Sequence, residues 1–302
     1  MVSHLNINVS CMNRREFMYS IPVVTALSSF TINKFSTSQR FKISLNAYSF
    51  NKELKDHKIS LADVLNFCKK TGFDAIDITG YYFDEYPAVP SDVSIFNFKR
   101  QAHSLGIEIS GTGVRNEFSY EKGVSLDNEI QLVNQWIEVA AKLGAPVLRI
   151  FSAKQYVTGM DRKKVFSNIQ WALSQVLPVA EKHGVLLGIQ NHNDFLHTAD
   201  ECFELIESMN NPWLGLVVDT GNFIAEDPYK EIEKVTPLAV NWQIKEKLLV
   251  HKEQVPMDLE RLCSIIRSSK YAGNLPIETL DNKDPFLDIP VFFNKVKNTI
   301  EK

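Results

Sequence analysis

The sequence has few cysteines, no strong excess of either charge and no long apolar segment in its mature part. The four cysteines, Cys11, Cys68, Cys202 and Cys263, lie far apart, so they form no zinc-binding or redox motif and we expect buried thiols. The formal net charge of -3 argues against a nucleic-acid binder, because a phosphate backbone selects a basic surface. No apolar run after residue 40 is long enough to cross a bilayer.

Nucleotide-binding motifs and linkers are also missing. The segment 46–50 (NAYSF) has no GxGxxG, and GxxxxGK[ST] occurs nowhere, so we expect no nucleotide cofactor. No Pro-, Gly- or Ser-rich stretch divides the chain after residue 40. Residues 41–302 are therefore predicted to form one domain.

The first 40 residues resemble an export signal of the twin-arginine type. Arg14 and Arg15 precede a modestly apolar stretch, 17–30, and a polar stretch, 31–40, follows. A short apolar N-terminal helix is the alternative. The resemblance implies a periplasmic or secreted protein whose leader is removed, with no membrane association afterwards.

Strand-like and helical patterns alternate from Phe41 onward, at intervals typical of βα units around a parallel sheet. Eight strands are predicted at 41–50, 75–80, 108–114, 146–153, 185–192, 214–222, 239–246 and 275–280. Eight helices are predicted at 60–71, 94–105, 126–143, 161–183, 198–209, 228–235, 258–270 and 285–301. Gly72, Gly106, Gly144 and Gly184 each follow a helical pattern and are predicted C-caps. This count predicts an α/β fold, a (β/α)8 TIM barrel, with a doubly wound open sheet as the alternative.

The four predicted strands of the second half end in polar side chains. They are Gln190, His192, Asp219, Gln243, Lys245 and Glu278. Barrel active sites lie at the carboxyl ends of the strands, where the βα loops open on one face. Alternation along 239–246 puts Asn241, Gln243 and Lys245 on one face of their strand.

These residues resemble the xylose isomerase-like barrel family, which includes sugar phosphate isomerases and epimerases, ketose 3-epimerases, inosose dehydratases and endonuclease IV nucleases. The resemblance spans 41–302 and rests on Gln190-Asn191-His192, Asp219-Thr220-Gly221-Asn222, Gln243-Ile244-Lys245-Glu246 and Glu278. Sugar-handling members bind a metal through Glu, Asp, His and Glu at the four strand ends. The resemblance carries these ligand positions to Gln190, Asp219, Gln243 and Glu278.

Two of the four ligand positions therefore differ from the family pattern. Gln190 lacks the negative charge of a glutamate, and Gln243 lacks the nitrogen donor of a histidine. A site with only two carboxylates would favour Mg²⁺, Mn²⁺ or Ca²⁺ over Zn²⁺ and hold it less tightly than an intact site. A divalent metal is the expected cofactor.

The substitution at Gln190 also restricts the mechanism. Ketose epimerases of the family use two metal-bound glutamates on opposite sides of a sugar carbon, and a neutral amide cannot take a proton. Glu278 is the predicted base, and Lys245 and His192 are predicted to stabilise an oxyanion or act as an acid. The expected activity is isomerisation or epimerisation next to a carbonyl. A keto-sugar dehydratase and a non-catalytic sugar-binding barrel remain alternatives.

Further residues are predicted to contact a small carbohydrate. Asn222 is predicted to bind a hydroxyl, and Tyr48 ends the first strand. Arg149 either binds substrate or forms a buried ion pair, and Glu117 is either a substrate contact or a loop charge. The aromatic segment 81–86 (YYFDEY) either stacks on a sugar or covers the barrel mouth. We expect no nucleic-acid partner, and a homo-oligomer is left open.

Overall fold

The computed structural model describes residues 41–153, 159, 161–192, 195–251, 253–280 and 283–302. Its strands in chain order are β1 (Lys42–Asn46), β2 (Ala75–Thr79), β3 (Glu108–Gly113), β4 (Val147–Phe151), β5 (Leu186–Gln190), β6 (Leu214–Asp219), β7 (Ala239–Lys245), β8 (Lys247–Val250), β9 (Glu253–Pro256) and β10 (Asn274–Glu278). Eight of these strands close a parallel barrel in the order β1-β10-β7-β6-β5-β4-β3-β2. The remaining two, β8 and β9, form an antiparallel hairpin directly after β7.

Helices connect the barrel strands. They are α1 (Asn51–Lys55), α2 (Leu61–Thr71), α3 (Asp92–Leu105), α4 (Val124–Leu143), α5 (Arg162–His183), α6 (Ala199–Met209), α7 (Pro228–Val235), α8 (Leu259–Ser268) and α9 (Pro285–Ile300). Every predicted helix and every predicted strand is present, so the prediction of a single-domain (β/α)8 barrel is confirmed.

The predicted caps explain where the helices end and begin. Gly72, Gly106, Gly144 and Gly184 follow helices with φ of 94°, 70°, 79° and 66°, a left-handed conformation that glycine adopts without a Cβ penalty. Thr198 forms a capping box with Glu201 at the start of α6. Each cap therefore fixes where a helix meets the next strand or loop.

The predicted strands overran the observed ones at their carboxyl ends. The first was predicted to reach Phe50, but β1 ends at Asn46, whose side chain accepts a hydrogen bond of 2.9 Å from the backbone N–H of Tyr48 and turns the chain into a 3-10 helix. The hairpin β8–β9 and the short helix α1 were not predicted, because their few residues carry too little periodic signal.

The buried apolar side chains of the strands and helices form one hydrophobic core cluster. Cys68, Cys202 and Cys263 lie buried with free thiols, which confirms the expectation for these three, and burial raises the pKa of Cys263 to about 11. Among the described residues, no helix combines the length and apolarity that a membrane span requires. The predicted leader and Cys11 lie outside the described residues.

Candidate active site

A cavity of about 290 Å³ opens at the carboxyl ends of the barrel strands. All but one of the site residues predicted from the sequence line it, namely Tyr48, Arg149, Gln190, His192, Asp219, Asn222, Gln243, Lys245 and Glu278. They come from β1, β4, β5, β6, β7 and β10 or the residues just after them. The barrel thus brings side chains from distant parts of the chain into one small cavity.

A buried ion-pair cluster lies at one side of this cavity. Nζ of Lys245 is 2.6 Å from Oε1 of Glu278 and 3.5 Å from Oδ2 of Asp219. The three side chains are 10%, 2% and 0% exposed, respectively. Strand β7 pairs with β6 on one side and with β10 on the other, so its last residue reaches both carboxylates.

Asp219 is held by donors on both carboxylate oxygens. Its Oδ2 accepts a 2.6 Å hydrogen bond from Nε2 of Gln190, and its Oδ1 accepts a 3.0 Å bond from the backbone N–H of Gly221. Asn191 binds the backbone of Asp219 through two hydrogen bonds, of 2.8 and 2.9 Å. With Lys245 near Oδ2, little acceptor capacity of this carboxylate is left for another ligand.

Glu278 has one engaged oxygen and one open oxygen. Oε1 accepts from Lys245, whereas buried Oε2 has no hydrogen-bond partner among the described residues. Burial raises the pKa of Glu278 above its ordinary value, although the Lys245 ammonium opposes this shift. A carboxylate with a free lone pair and a raised pKa is suited to take a proton from a bound substrate.

The loop after β6 supports the stem of Lys245. The backbone N–H of Lys245 donates to Oγ1 of Thr220 at 2.9 Å. A Cβ at Gly221 would lie 2.9 Å from Cγ of Lys245, so glycine leaves the space that the stem occupies. Burial alone would lower the pKa of Lys245, but Asp219 and Glu278 outweigh it and raise the pKa, so the amine stays protonated.

Arg149 brings a second buried cation to the cavity. Its guanidinium donates to the backbone oxygen of Val114 and, at 2.8 Å, to the hydroxyl of Tyr81, and it lies 4.3 Å from the ring centre of Phe151. The buried carboxyl of Asp77 interacts electrostatically with this arginine. Arg149 therefore lines the cavity, as a substrate contact would, and also interacts with a buried carboxyl.

Glu117 is the predicted site residue that does not line the cavity. Its side chain is completely buried and accepts hydrogen bonds from the backbone N–H and the hydroxyl of Ser119, at 3.1 and 2.6 Å. The sequence placed it in the loop after β3 but could not show that this loop folds inward. Its observed contacts give it a local structural role.

Sequence reasoning missed several residues around the cavity. Thr79, Phe151 and Leu280 line it, and Asp77 lies deeper in the barrel, where its Oδ2 accepts a 3.0 Å hydrogen bond from Asn241. Burial raises the pKa of Asp77 to about 6. The sequence of β2 did contain a signal for Asp77. The strand is otherwise made of Ala, Ile and Thr, and a single carboxylate within it indicates a side chain that points to the barrel interior.

Two further cavities adjoin the first. One, of about 320 Å³, lies against the β8–β9 hairpin and shares Asn222, Lys245, Glu278 and Leu280 with it. The other, of about 720 Å³, lies between the loops after β1 and β2 and shares Tyr81. The aromatic segment 81–86 thus contributes to the cavity wall and to the neighbouring groove.

The residues at the four predicted ligand positions do not fit a divalent cation in this arrangement. Only Asp219 and Glu278 are carboxylates, the Lys245 ammonium lies between them, and Gln190 presents an N–H rather than its carbonyl to Asp219. No cluster of three His, Cys, Asp or Glu side chains suited to a metal occurs in the described part of the chain. A dication about 4 Å from the ammonium would be repelled by about 8 kcal/mol at an effective dielectric of about 20. The metal stays a prediction, and the donor set counts against it.

Comparisons with known proteins agree with this architecture. A family model described as xylose isomerase-like TIM barrel matches residues 65–293. The C-glycoside deglycosidase alpha subunit of Arthrobacter globiformis is 31% identical over 122 residues, which cover 39% of this chain and 28% of that protein. The chain spans less than half the length of the curated relatives it matches.

Solved structures show the same fold at low sequence identity. D-psicose 3-epimerase with D-tagatose from Clostridium cellulolyticum H10 has a TM-score of 0.74 at 15% identity, covering 87% of this chain and 100% of that one. Apo 3-keto-D-glucoside 4-epimerase from E. coli has a TM-score of 0.70 at 13% identity, covering 86% and 100%. At such low identity, these structures establish the barrel fold alone. The reaction has to be inferred from the residues of the site.

Proposed function

The chain belongs to the xylose isomerase-like TIM barrel family, and on this premise we propose that it is a sugar-processing enzyme that transfers a proton next to a carbonyl. The substrate class is a keto-sugar or a keto-glycoside, as the names of the similar solved structures suggest. The observation that carries the proposal is the open oxygen of Glu278. It is buried, lines the cavity and lacks a partner among the described residues.

Glu278 acts as the single base. Its Oε2 removes a proton from the carbon beside the substrate carbonyl, and the raised pKa makes the carboxylate a stronger base than an exposed one. Gln190 is an amide hydrogen-bonded to Asp219 and offers no second base. One base favours isomerisation, in which the same carboxyl returns the proton to the former carbonyl carbon while the hydroxyl on the first carbon gives its proton to the former carbonyl oxygen.

Other cavity residues bind and orient the sugar. The Lys245 ammonium and the Arg149 guanidinium supply N–H donors, which stabilise the negative charge that develops on the carbonyl oxygen. Asn222 and Tyr48 are placed to contact sugar hydroxyls. His192, which packs edge-on against Phe151 with ring centres 5.0 Å apart, is the candidate acid.

Elimination is the second candidate reaction. Here Glu278 removes the proton beside the carbonyl, a double bond forms, and the group on the next carbon leaves with its bonding electrons and takes a proton from His192. One relative is named a C-glycoside deglycosidase subunit, and removal of a group from a glycoside supports a reaction with a leaving group. The cavity against the β8–β9 hairpin also supports it, because it places room for a leaving group beside Lys245 and Glu278.

We also propose that the protein is exported. The support is the twin-arginine pattern at Arg14 and Arg15 before the apolar stretch 17–30. Cell fractionation of the full chain in a bacterial host should find it in the periplasm, and a variant with both arginines changed to lysine should stay in the cytoplasm. Equal distribution of the two proteins would contradict export by this route.

The test of the proposed reaction is product formation from D-psicose, D-tagatose, D-fructose and a 3-keto-D-glucoside, followed by NMR. We expect the wild type to convert at least one of them, Glu278→Gln to be slower by about 10²-fold or more, and the exposed control Glu204→Gln to match the wild type. Binding of a sugar without conversion by any of the three proteins would contradict the proposal and favour a non-catalytic sugar-binding barrel.

A further inference from the structure

Lys245 occupies the space between the two carboxylates that the family resemblance assigns to a metal. Its Nζ lies 2.6 Å from Oε1 of Glu278 and 3.5 Å from Oδ2 of Asp219, and all three side chains are buried. One ammonium thus contacts the carboxylates of two strands, β6 and β10, that flank its own strand β7. We propose that the Lys245 ammonium is the resident cation of this site and that the protein works without a divalent metal.

The other two ligand positions agree with this assignment. Gln190 and Gln243 are neutral, so the cluster has two negative charges, and one ammonium already offsets half of them. Asp219 also holds Gln190 in one orientation. If the amide were turned, its oxygen would lie about as close to the carboxylate as the nitrogen does now and would be repelled. Gln190 therefore donates a hydrogen bond to Asp219 through its N–H, whereas a metal ligand would have to present its carbonyl oxygen.

The loop after β6 provides an independent observation, because it fits the lysine stem. A Cβ at Gly221 would approach Cγ of Lys245 to 2.9 Å and the backbone oxygen of Lys247 to 3.1 Å. Thr220 accepts the backbone N–H of Lys245. The loop is thus shaped around this side chain in its inward position.

The ammonium also has a chemical consequence, which rests on the proposed function. A Lewis acid would polarise a substrate carbonyl through a direct bond, whereas an ammonium has three N–H donors and can hydrogen-bond to the oxygen. Lys245 would then hold Glu278 through Oε1 and meet the developing oxyanion with another donor. Carbonyl polarisation and base positioning are thus combined in one side chain.

The test is Mn²⁺ binding by the metal-stripped full-length protein, measured by electron paramagnetic resonance and by thermal stability with and without MnCl₂. The wild type should show neither bound Mn²⁺ nor stabilisation. The variant Lys245→Met/Gln190→Glu removes the ammonium and restores a third carboxylate, so its Mn²⁺ affinity should rise by about tenfold or more. Adding Asp219→Asn to it should abolish the gain. Lys230→Met, at an exposed position, is the control and should match the wild type.

Binding of Mn²⁺ by the wild type that Asp219→Asn abolishes would overturn the proposal. Failure of the folded double variant to bind Mn²⁺ would overturn the claim that Lys245 excludes the metal. If the double variant does not fold, Lys245→Met alone replaces it under the same criteria. These readouts do not involve turnover, so an inactive protein that excludes Mn²⁺ would contradict the proposed reaction and leave the cation assignment in place.

Discussion

Replacing Lys245 with methionine should strongly destabilise the fold. Methionine keeps most of the apolar stem, so the change mainly removes the ammonium from between Asp219 and Glu278, which are 0% and 2% exposed. Removing one partner of a buried ion pair typically costs about 3 to 5 kcal/mol, because a charge is left buried without compensation. For a domain of this size that corresponds to a fall in Tm of roughly 6 to 20 °C.

The assay is urea unfolding followed by circular dichroism, with the exposed Lys230→Met as the matched control, which should stay within about 0.5 kcal/mol of the wild type. The double variant Lys245→Met/Glu278→Gln should be more stable than the sum of the two single changes predicts, by about 0.5 to 3 kcal/mol, because it no longer buries the orphaned charge of Glu278. A Lys245→Met protein within about 1 kcal/mol of the wild type would refute the buried cluster.

Three further predictions concern the cavity and its support. Burial raises the pKa of Asp77 to about 6, so the protonated form stabilises the fold below about pH 4, and this contribution is lost as the pH rises through about 6. The free energy of unfolding of Asp77→Asn, relative to that of the wild type, should therefore increase by up to about 3 kcal/mol between pH 4 and pH 8 in urea unfolding. Parallel pH profiles of the two proteins would contradict this. Glu278→Gln should lower kcat by about 10² to 10⁴-fold while circular dichroism stays unchanged, and retained turnover would rule out Glu278 as the base. At Gly113 an added Cβ would lie 2.9 Å from Cζ of Arg149, so Gly113→Ala should raise KM more than it lowers kcat, and an unchanged KM would show that Arg149 does not bind substrate.

The barrel could be predicted from the sequence because each of its signals is local. Apolar strands, amphipathic helices and glycines such as Gly144 and Gly184 follow one another in a rhythm that few folds share. The hairpin β8–β9 could not be predicted, since its two strands have four residues each and carry no clear alternation.

The sequence predicted which residues form the site but not how their side chains contact one another. The strand-end rule placed Asp219, Lys245 and Glu278 in one cavity, because parallel strands expose their carboxyl ends on one face. It could not show that the lysine contacts both carboxylates, since this depends on side-chain direction and on the space at Gly221. Glu117 was predicted to be a substrate contact or a loop charge. Its loop turns inward instead and buries the side chain.

Proton exchange tests the central claim most directly, that Glu278 removes a proton beside a sugar carbonyl. The metal-stripped protein is incubated in D₂O with D-psicose, D-tagatose, D-fructose and a 3-keto-D-glucoside, and NMR follows deuterium at the carbon next to the carbonyl. The account predicts incorporation by the wild type and by Glu204→Gln, and none by Glu278→Gln. Binding of a sugar with neither deuterium incorporation nor conversion to product, or equal incorporation by Glu278→Gln, would contradict it.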